Sequence, residues 1–253
     1  MLVDAHCHVG LEARNREGAE TEVQRGLDGG VGQIVLVGTC PDDWQTVLHL
    51  AEKFGGCVLP MVGLHPWFIR EHWKEDLAEW RALVKSHPVG VGEVGLDRAC
   101  KSDWEVQVSV LQAQTELAAE LKRPVSLHVV RATGKLLEIF PHVGPSWRIH
   151  GFRGNRGLLA QVFQAGMGIS CTEKSLNDAT DTKTGWIDWL ETGNVLIESD
   201  AKSGTTQAEI LKKTYLSFAT HTGKTLEKIK ATMQSRLQRW WTTEDTKPQE
   251  TTE

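Results

Sequence analysis

The 253-residue chain has no apolar run long enough to span a membrane, since a helical span needs about 20 consecutive apolar residues. Its N-terminus enters a strand-like segment directly, without the basic region and apolar core of an export signal. Five cysteines (Cys7, Cys40, Cys57, Cys100 and Cys171) are odd in number and contain no C-x-x-C pair. That pattern suits free thiols in a reducing cytoplasm, where the protein is expected to work as a monomer, better than a disulfide or zinc–thiolate framework. Positive charge is not in excess: 28 Lys and Arg stand against 33 Asp and Glu, a net charge of −5. The chain therefore lacks the global basic field that drives tight nonspecific DNA binding. A phosphate substrate would need a local source of positive charge, which bound metal ions can supply. No internal repeat recurs at a fixed period, and no Gly-rich phosphate turn follows the first strand.

What the sequence does contain is regular alternation. Strand-like runs are expected at Leu2–Val9, Gln33–Gly38, Cys57–Leu64, Val89–Leu96, Val125–Val129, Arg148–Gly151, Gly168–Cys171 and Val195–Ser199. Helical periodicity fills the intervals. Val106, Val110, Ala113, Leu117 and Leu121 form one apolar stripe, with Ser102 and Glu105 at capping-box spacing before it. Thr206 and Glu209 repeat the device, and Leu226, Ile229, Met233 and Leu237 share a face of the last helix. Eight strands each followed by a helix predict an α/β fold, a single-domain (β/α)8 TIM barrel over residues 1–242. An open doubly wound sheet is the alternative, but it would carry fewer strands. Residues 243–253 contain no apolar side chain and are expected to be a disordered polar tail.

The opening "VDAHCHVG" sets Asp4, His6 and His8 two residues apart on a strand, so that their side chains share one side. Cys7 alternates to the opposite face and is assigned to the core. The active site of a (β/α)8 barrel lies at the C-terminal ends of its strands. Six of the eight ends deliver a histidine or carboxylate there: His6 and His8, His65, Glu93 with Asp97, His128, His150, and Asp200. Imidazole and carboxylate without thiolate suit Zn, Mn, Fe or Ni, with Mg where oxygen ligands dominate. Even four of these histidines with two of the carboxylates exceed what one catalytic ion with an open position uses. Two ions bridged by a carboxylate, at a spacing of about 3.5–4 Å, fit better. Asp4 and Asp97 are read as groups that orient ligands. Of ten tryptophans, Trp67 beside Pro66 could stack a base, while Trp73, Trp80, Trp186, Trp189, Trp240 and Trp241 read as packing. His49, His72, His87, His142 and His221 read as solvated.

"DAHCH" resembles the D-x-H-x-H opening of the TatD-type metal-dependent deoxyribonucleases, within the amidohydrolase-like barrels. "GLHP" (63–66), "GEVGLD" (92–97), "PVSLH" (124–128), "HGFRG" (150–154) and "ESDA" (198–201) resemble later motifs of that family in the same order. The resemblance runs from residue 2 to about residue 240. It implies that His6, His8 and Asp200 hold one divalent ion, that His128 and His150 hold a second, and that Glu93 bridges them. His65 would then lie beside the substrate phosphate, with Lys202 and Arg153 adding positive charge. Asp200 would orient a water and take its proton. The implied activity is hydrolysis of phosphodiesters, with DNA ends or single strands as substrate and attack from a 3′ end. The chain departs from the family pattern at Arg131, displaced by one residue, and at Lys202, where the family has proline. Hydrolysis of another ester, amide or phosphoester on the same barrel is the alternative, as is a non-catalytic metal-binding relative.

Overall fold

The computed structural model describes residues 1–144, 146–179, 187–191 and 194–242. The expected polar tail and Trp186 lie outside the described residues. Eight strands form one sheet in sequence order: β1 (Leu2–Cys7), β2 (Val31–Val37), β3 (Val58–Val62), β4 (Gly90–Asp97), β5 (Val125–Val130), β6 (Trp147–Ile149), β7 (Gly168–Cys171) and β8 (Val195–Ile197). Neighbouring strands are parallel from β1 through to β8. Around them run α1 (Arg16–Asp28), α2 (Pro41–Phe54), α3 (Trp73–Ser86), α4 (Trp104–Glu120), α5 (Thr133–Ile139), α6 (Arg156–Gln164), α7 (Glu173–Ala179), α8 (Gly204–Thr222) and α9 (Leu226–Thr242). The expected (β/α)8 barrel is the observed fold.

Strands β1 and β4 are buried along their whole length, as befits parallel strands covered on both faces. The sheet closes beyond the end of β8 rather than along it. Asp200 N donates to His6 O (3.0 Å), His8 N to Ala201 O (2.8 Å) and Gly10 N to Lys202 O (3.1 Å). Strand β8 stops at Ile197, short of the expected Ser199, because the buried Asp4 carboxylate captures Ser199: Oδ1 accepts from its backbone N (2.9 Å) and Oδ2 from its hydroxyl (2.6 Å). Asp200 then adopts a left-handed φ of 53° and leaves the strand.

Helix α4 corrects two expectations. Its N-cap is Asp103, whose side chain accepts from Val106 N, rather than Ser102; the Ser102 hydroxyl donates instead to Pro66 O at 2.8 Å. Its buried face keeps Val110 and Leu117 of the expected stripe but is widened by Gln107, Leu111, Gln114, Thr115 and Ala118, while Val106, Ala113 and Leu121 are only half-buried. The two glutamines act as main-chain clamps. Gln107 takes Asp97 N (2.8 Å) and returns a bond to Asp97 O (3.2 Å); Gln114 does the same for Leu64 N (2.8 Å) and Leu64 O (3.3 Å). Both clamped residues stand at strand ends that lead into the site. Helix α8 likewise starts one turn earlier than the Thr206–Glu209 spacing suggests, with Ser203 as its cap.

Tryptophan indoles do similar work on β3. Trp80 Nε1 donates to Val62 O (2.9 Å) and Trp44 Nε1 to Gly63 O (3.0 Å), and both rings are buried. Buried indole N–H groups need such acceptors. Trp240 is buried too, and Trp73, Trp189 and Trp241 are partly so. His72, His87, His142 and His221 are exposed, whereas His49 is half-buried and paired with Glu20 at 2.7 Å. Cys7 is fully buried, and its thiol donates to Val35 O, away from the site histidines.

Candidate active site

Strand β4 carries Glu93 into the mouth of the barrel, and five histidines from four other strand ends surround it. Glu93 Oε2 lies 3.4 Å from His6 Nε2 and 3.3 Å from His8 Nε2. Glu93 Oε1 lies 3.3 Å from His65 Nε2, 2.8 Å from His128 Nδ1 and 2.8 Å from His150 Nε2. Strand β4 can approach β5 this closely because residue 95 is glycine; a Cβ there would collide with the His128 carbonyl. Burial works against charge on Glu93, but His150, His65 and His128 outweigh it and hold the carboxylate well below its usual range.

Hydrogen bonds at the far side of His8, His128 and His65 fix what these rings offer Glu93. His8 Nδ1 faces the Val37 carbonyl at 2.7 Å, so Nδ1 must donate, and neutral His8 turns a lone pair on Nε2 towards Glu93. Asp97 Oδ2 faces His128 Nε2 at 3.0 Å, which leaves a lone pair on the inward Nδ1 of the neutral ring. His6 Nδ1 meets Ser126 Oγ at 2.9 Å. His65 is the opposite case: its Nδ1 accepts from Trp67 N at 3.0 Å, so its inward Nε2 carries the proton. Burial lowers the pKa of His65 and, with His150 adjacent, that of His6. Burial also opposes charge on His8 and His150, but Glu93 raises both above the ordinary value.

Lone pairs on His8 and His128 aimed at a carboxylate are acceptors facing acceptors. Such an arrangement calls for a cation between them, either a proton or a metal ion. Among the described residues, three groups have donor atoms close enough together to hold an ion: His6–His8–Glu93, His65–Glu93–His128 and His6–His150–Glu198. The tautomer of His65 withdraws it from the second group, because a ligating Nε2 would force a proton onto Nδ1, against the Trp67 N–H.

The remaining expected residues divide into those near the cluster and those apart from it. Asp200 stands at the rim with its side chain 49% exposed and Oδ1 3.6 Å from His8 Nε2. Asp97 lies under His128 and Trp67, accepting Trp67 Nε1–H at 2.6 Å; burial opposes its charge, but His128 and Trp67 keep its pKa low. Asp4 does not reach Glu93. It lies in the seam between β1 and the Ser199 segment, bonded also to Gln207 Nε2 at 2.8 Å, and burial pushes its pKa up to about 7. Lys202 pairs with Glu12 at the surface, and Arg153 is exposed.

Sequence reading passed over Glu198. This residue is fully buried, accepts from Gly151 N (2.6 Å) and from the Ser170 hydroxyl, and has Oε1 3.7 Å from His150 Nδ1. Burial opposes its charge, but the neighbouring His150 imidazole and the Ser170 hydroxyl outweigh that and lower its pKa. The available signal was spacing: Glu198 and Asp200 are two apart, as His6 and His8 are.

Comparison with known proteins agrees with this architecture. The family model described as "TatD related DNase" matches residues 3–242. The metal-dependent hydrolase YjjV of Escherichia coli K12 is 29% identical over 206 residues, 79% of each chain. The 3′-5′ ssDNA/RNA exonuclease TatD of Erwinia billingiae is 34% identical over 155 residues, 59% of each chain. The crystal structure of E. coli YjjV superposes with a TM-score of 0.75 at 22% identity, covering 95% of this chain and 98% of that one, which shows a shared fold. With a family model matched from the first strand to the last helix, the chain belongs to the TatD-related DNase family.

Proposed function

We propose that the protein is a divalent-metal-dependent phosphodiesterase that cuts DNA from a 3′ end and uses two ions. Glu93 carries this reading, because a buried carboxylate ringed by five imidazoles, two of them offering lone pairs, is poorly matched to anything but cations. His6, His8 and Asp200 would hold one ion, His128 and His150 the other, and Glu93 both; the buried carboxylate of Glu198 is a further candidate beside His6 and His150. The donor set of nitrogen and oxygen fits Mg, Mn, Zn, Fe or Ni. When bound, such ions supply positive charge to phosphate oxygens and make water more acidic.

The chain's own groups have defined tasks in this reading. Asp200, half-exposed at the mouth, orients the attacking water and takes its proton on a carboxylate oxygen. His65, whose Nδ1 bond to Trp67 N keeps the proton on Nε2, would turn that N–H from Glu93 Oε1, 3.3 Å away, to a non-bridging phosphate oxygen. Asp97 keeps His128 in the tautomer that leaves Nδ1 free. Asp4 fixes Ser199, and through it the turn that carries Asp200. The names of the relatives, a metal-dependent hydrolase and an ssDNA/RNA exonuclease, support the chemistry and the substrate class.

The test is chelation followed by metal return, with DNA labelled at the 5′ end so that digestion from the 3′ end leaves a ladder. Activity is expected to vanish with the metal and to return with a divalent ion. Full activity after verified metal loss would sink the reading.

A further inference from the structure

Among the described residues, four large apolar side chains are strongly exposed: Met1, Trp67, Phe68 and Leu216. Two of them are adjacent, and they follow His65 at the rim. Trp67 is 64% exposed and Phe68 42%. Exposure does not leave the indole loose. Its Nε1 donates to Asp97 Oδ2 at 2.6 Å, and its ring meets His65 edge-on (5.5 Å between centroids, 89°) and His128 (6.0 Å, 74°). The Ser102 hydroxyl ties the loop after β4 to Pro66 O, so the two loops form one block. Core packing accounts for Trp44 and Trp80; it does not account for a flat ring held open to solvent beside the Glu93 cluster.

Charge of a matching kind lies next to it. Arg98 follows β4 and Arg131 follows β5. Asp97 pairs in register with Val130, and Arg98 N donates to Val130 O at 3.1 Å, so the two arginines are neighbours on the rim. The Arg98 guanidinium sits 4.0 Å over the Trp104 ring. Both arginines are exposed, and neither has a carboxylate partner among the described residues. In a chain of net charge −5, two guanidinium groups with no carboxylate partner among the described residues, on the rim near an open indole, have the chemistry to receive an aromatic base linked to phosphates.

We propose that this arc of the rim is a subsite for single-stranded DNA. An unpaired base next to the scissile phosphate stacks on Trp67, with Phe68 at its margin, and Arg98 and Arg131 receive phosphates of the same strand. The proposal rests on the phosphodiesterase reading of the adjacent cluster. A single strand is specified because only an unpaired base can offer its face to the indole; stacking on aromatic side chains and a short cationic track are how single strands are held.

Binding separates this from the hydrolytic reading. Fluorescein-labelled single-stranded tetradeoxyadenylate is titrated with the full chain in chelator, by anisotropy, so that no turnover occurs. Trp67→Ala is expected to weaken binding about tenfold or more, and Trp67→Phe to keep most of it. The slope of log K against log salt should be near −1.4 for two phosphates, and Arg98→Ala should make it shallower by about 0.7. Stacking should also quench indole fluorescence in the wild type and much less in Trp67→Phe. Folded Trp67→Ala binding within about twofold of wild type, equal quenching in both proteins, or a blunt duplex bound as tightly as the single strand would each overturn the subsite. An all-ribose strand bound more than about tenfold tighter would overturn its assignment to DNA. Hydrolysis of bis(p-nitrophenyl) phosphate by metal-loaded wild type is scored separately: its absence would remove the hydrolytic reading, while the binding data would still decide the subsite.

Discussion

The two halves of the barrel are held together by different means. From β1 to β5 the strands run five to eight residues, and their ends are pinned from outside by the Gln107 and Gln114 clamps and the Trp44 and Trp80 indoles. From β6 to β8 they run only three or four residues. There buried arginines replace ladder hydrogen bonds. Arg148 donates to Ile169 O and Asn194 O; Arg236, on α9, donates to Leu190 O (3.0 Å), Val195 O (2.8 Å) and Glu191 O (3.0 Å). The first half supplies Glu93 and four of the five histidines around it; the second supplies His150, Glu198 and Asp200. A short strand can still present a ligand if a long cation gathers the carbonyls that the ladder leaves unpaired.

The largest expected effect lies where the halves meet. Glu93→Gln keeps the shape of the side chain but removes the charge that all five imidazoles face. Metal content should fall, and hydrolysis should drop by roughly a thousandfold or more, which is about 4 kcal/mol of transition-state stabilisation. Metal analysis and initial rates on the folded variant are the measurements. Unchanged metal content would show that Glu93 is not a ligand and that the ions, if bound, use the two halves independently.

Next comes the seam of the second half. Arg236→Ala orphans three carbonyls and removes a buried cation, at a cost of about 3 kcal/mol. For a domain of this size, that is a fall in Tm of about 6–12 °C. Hydrogen exchange should quicken in β7 and β8 before it quickens in β2 and β3. Equal loss of protection in both halves would erase the distinction and make the barrel one cooperative unit.

The same contrast explains how much could be read from the sequence. All eight strands were legible because each is a short apolar run between helical patterns, including the three-residue β6 and β8. The cluster at the rim was legible because His6, His65, Glu93, His128 and His150 interrupt those runs with groups that no core needs unpaired. Side-chain-to-backbone bonds were not legible, because local spacing does not reveal them. Gln107 and Gln114 look like the solvated side of an amphipathic helix, yet both are buried against main chain outside the helix, at Asp97 and Leu64. Ser102 has the spacing of a cap, but the Pro66 carbonyl claims its hydroxyl. Glu198 was overshadowed by Asp200, which has the more familiar position at the strand's end. The end of β8 depended on Asp4, some two hundred residues away in the chain, capturing Ser199.

The smallest of these effects tests the first half alone. Asp97 accepts from Ala99 N on Oδ1 (2.7 Å) and from Trp67 Nε1 and His128 Nε2 on Oδ2 (2.6 and 3.0 Å). An asparagine in its place cannot reproduce this set, since an amide has one acceptor oxygen and an NH2 that only donates. If its oxygen takes the Oδ2 position, the NH2 faces the Ala99 N–H. If it takes the Oδ1 position, the NH2 faces the Trp67 indole N–H and donates to His128 Nε2. His128 must then move its proton to Nδ1, and the lone pair that pointed at Glu93 is lost. Asp97→Asn should therefore weaken metal binding or activity by about 10–100-fold, with little change in Tm, because the Gln107 clamp holds the main chain of residue 97 whichever side chain it bears. The effect should fall on one ion and not both, since His6 and His8 are fixed through Ser126 and Val37 instead. Metal titration at matched free ion, with circular dichroism as the folding control, reads this directly. Wild-type affinity in Asp97→Asn would mean that His128 does not present Nδ1 to an ion, and loss of both ions together would mean that the β1 and β5 ligands are not separately anchored.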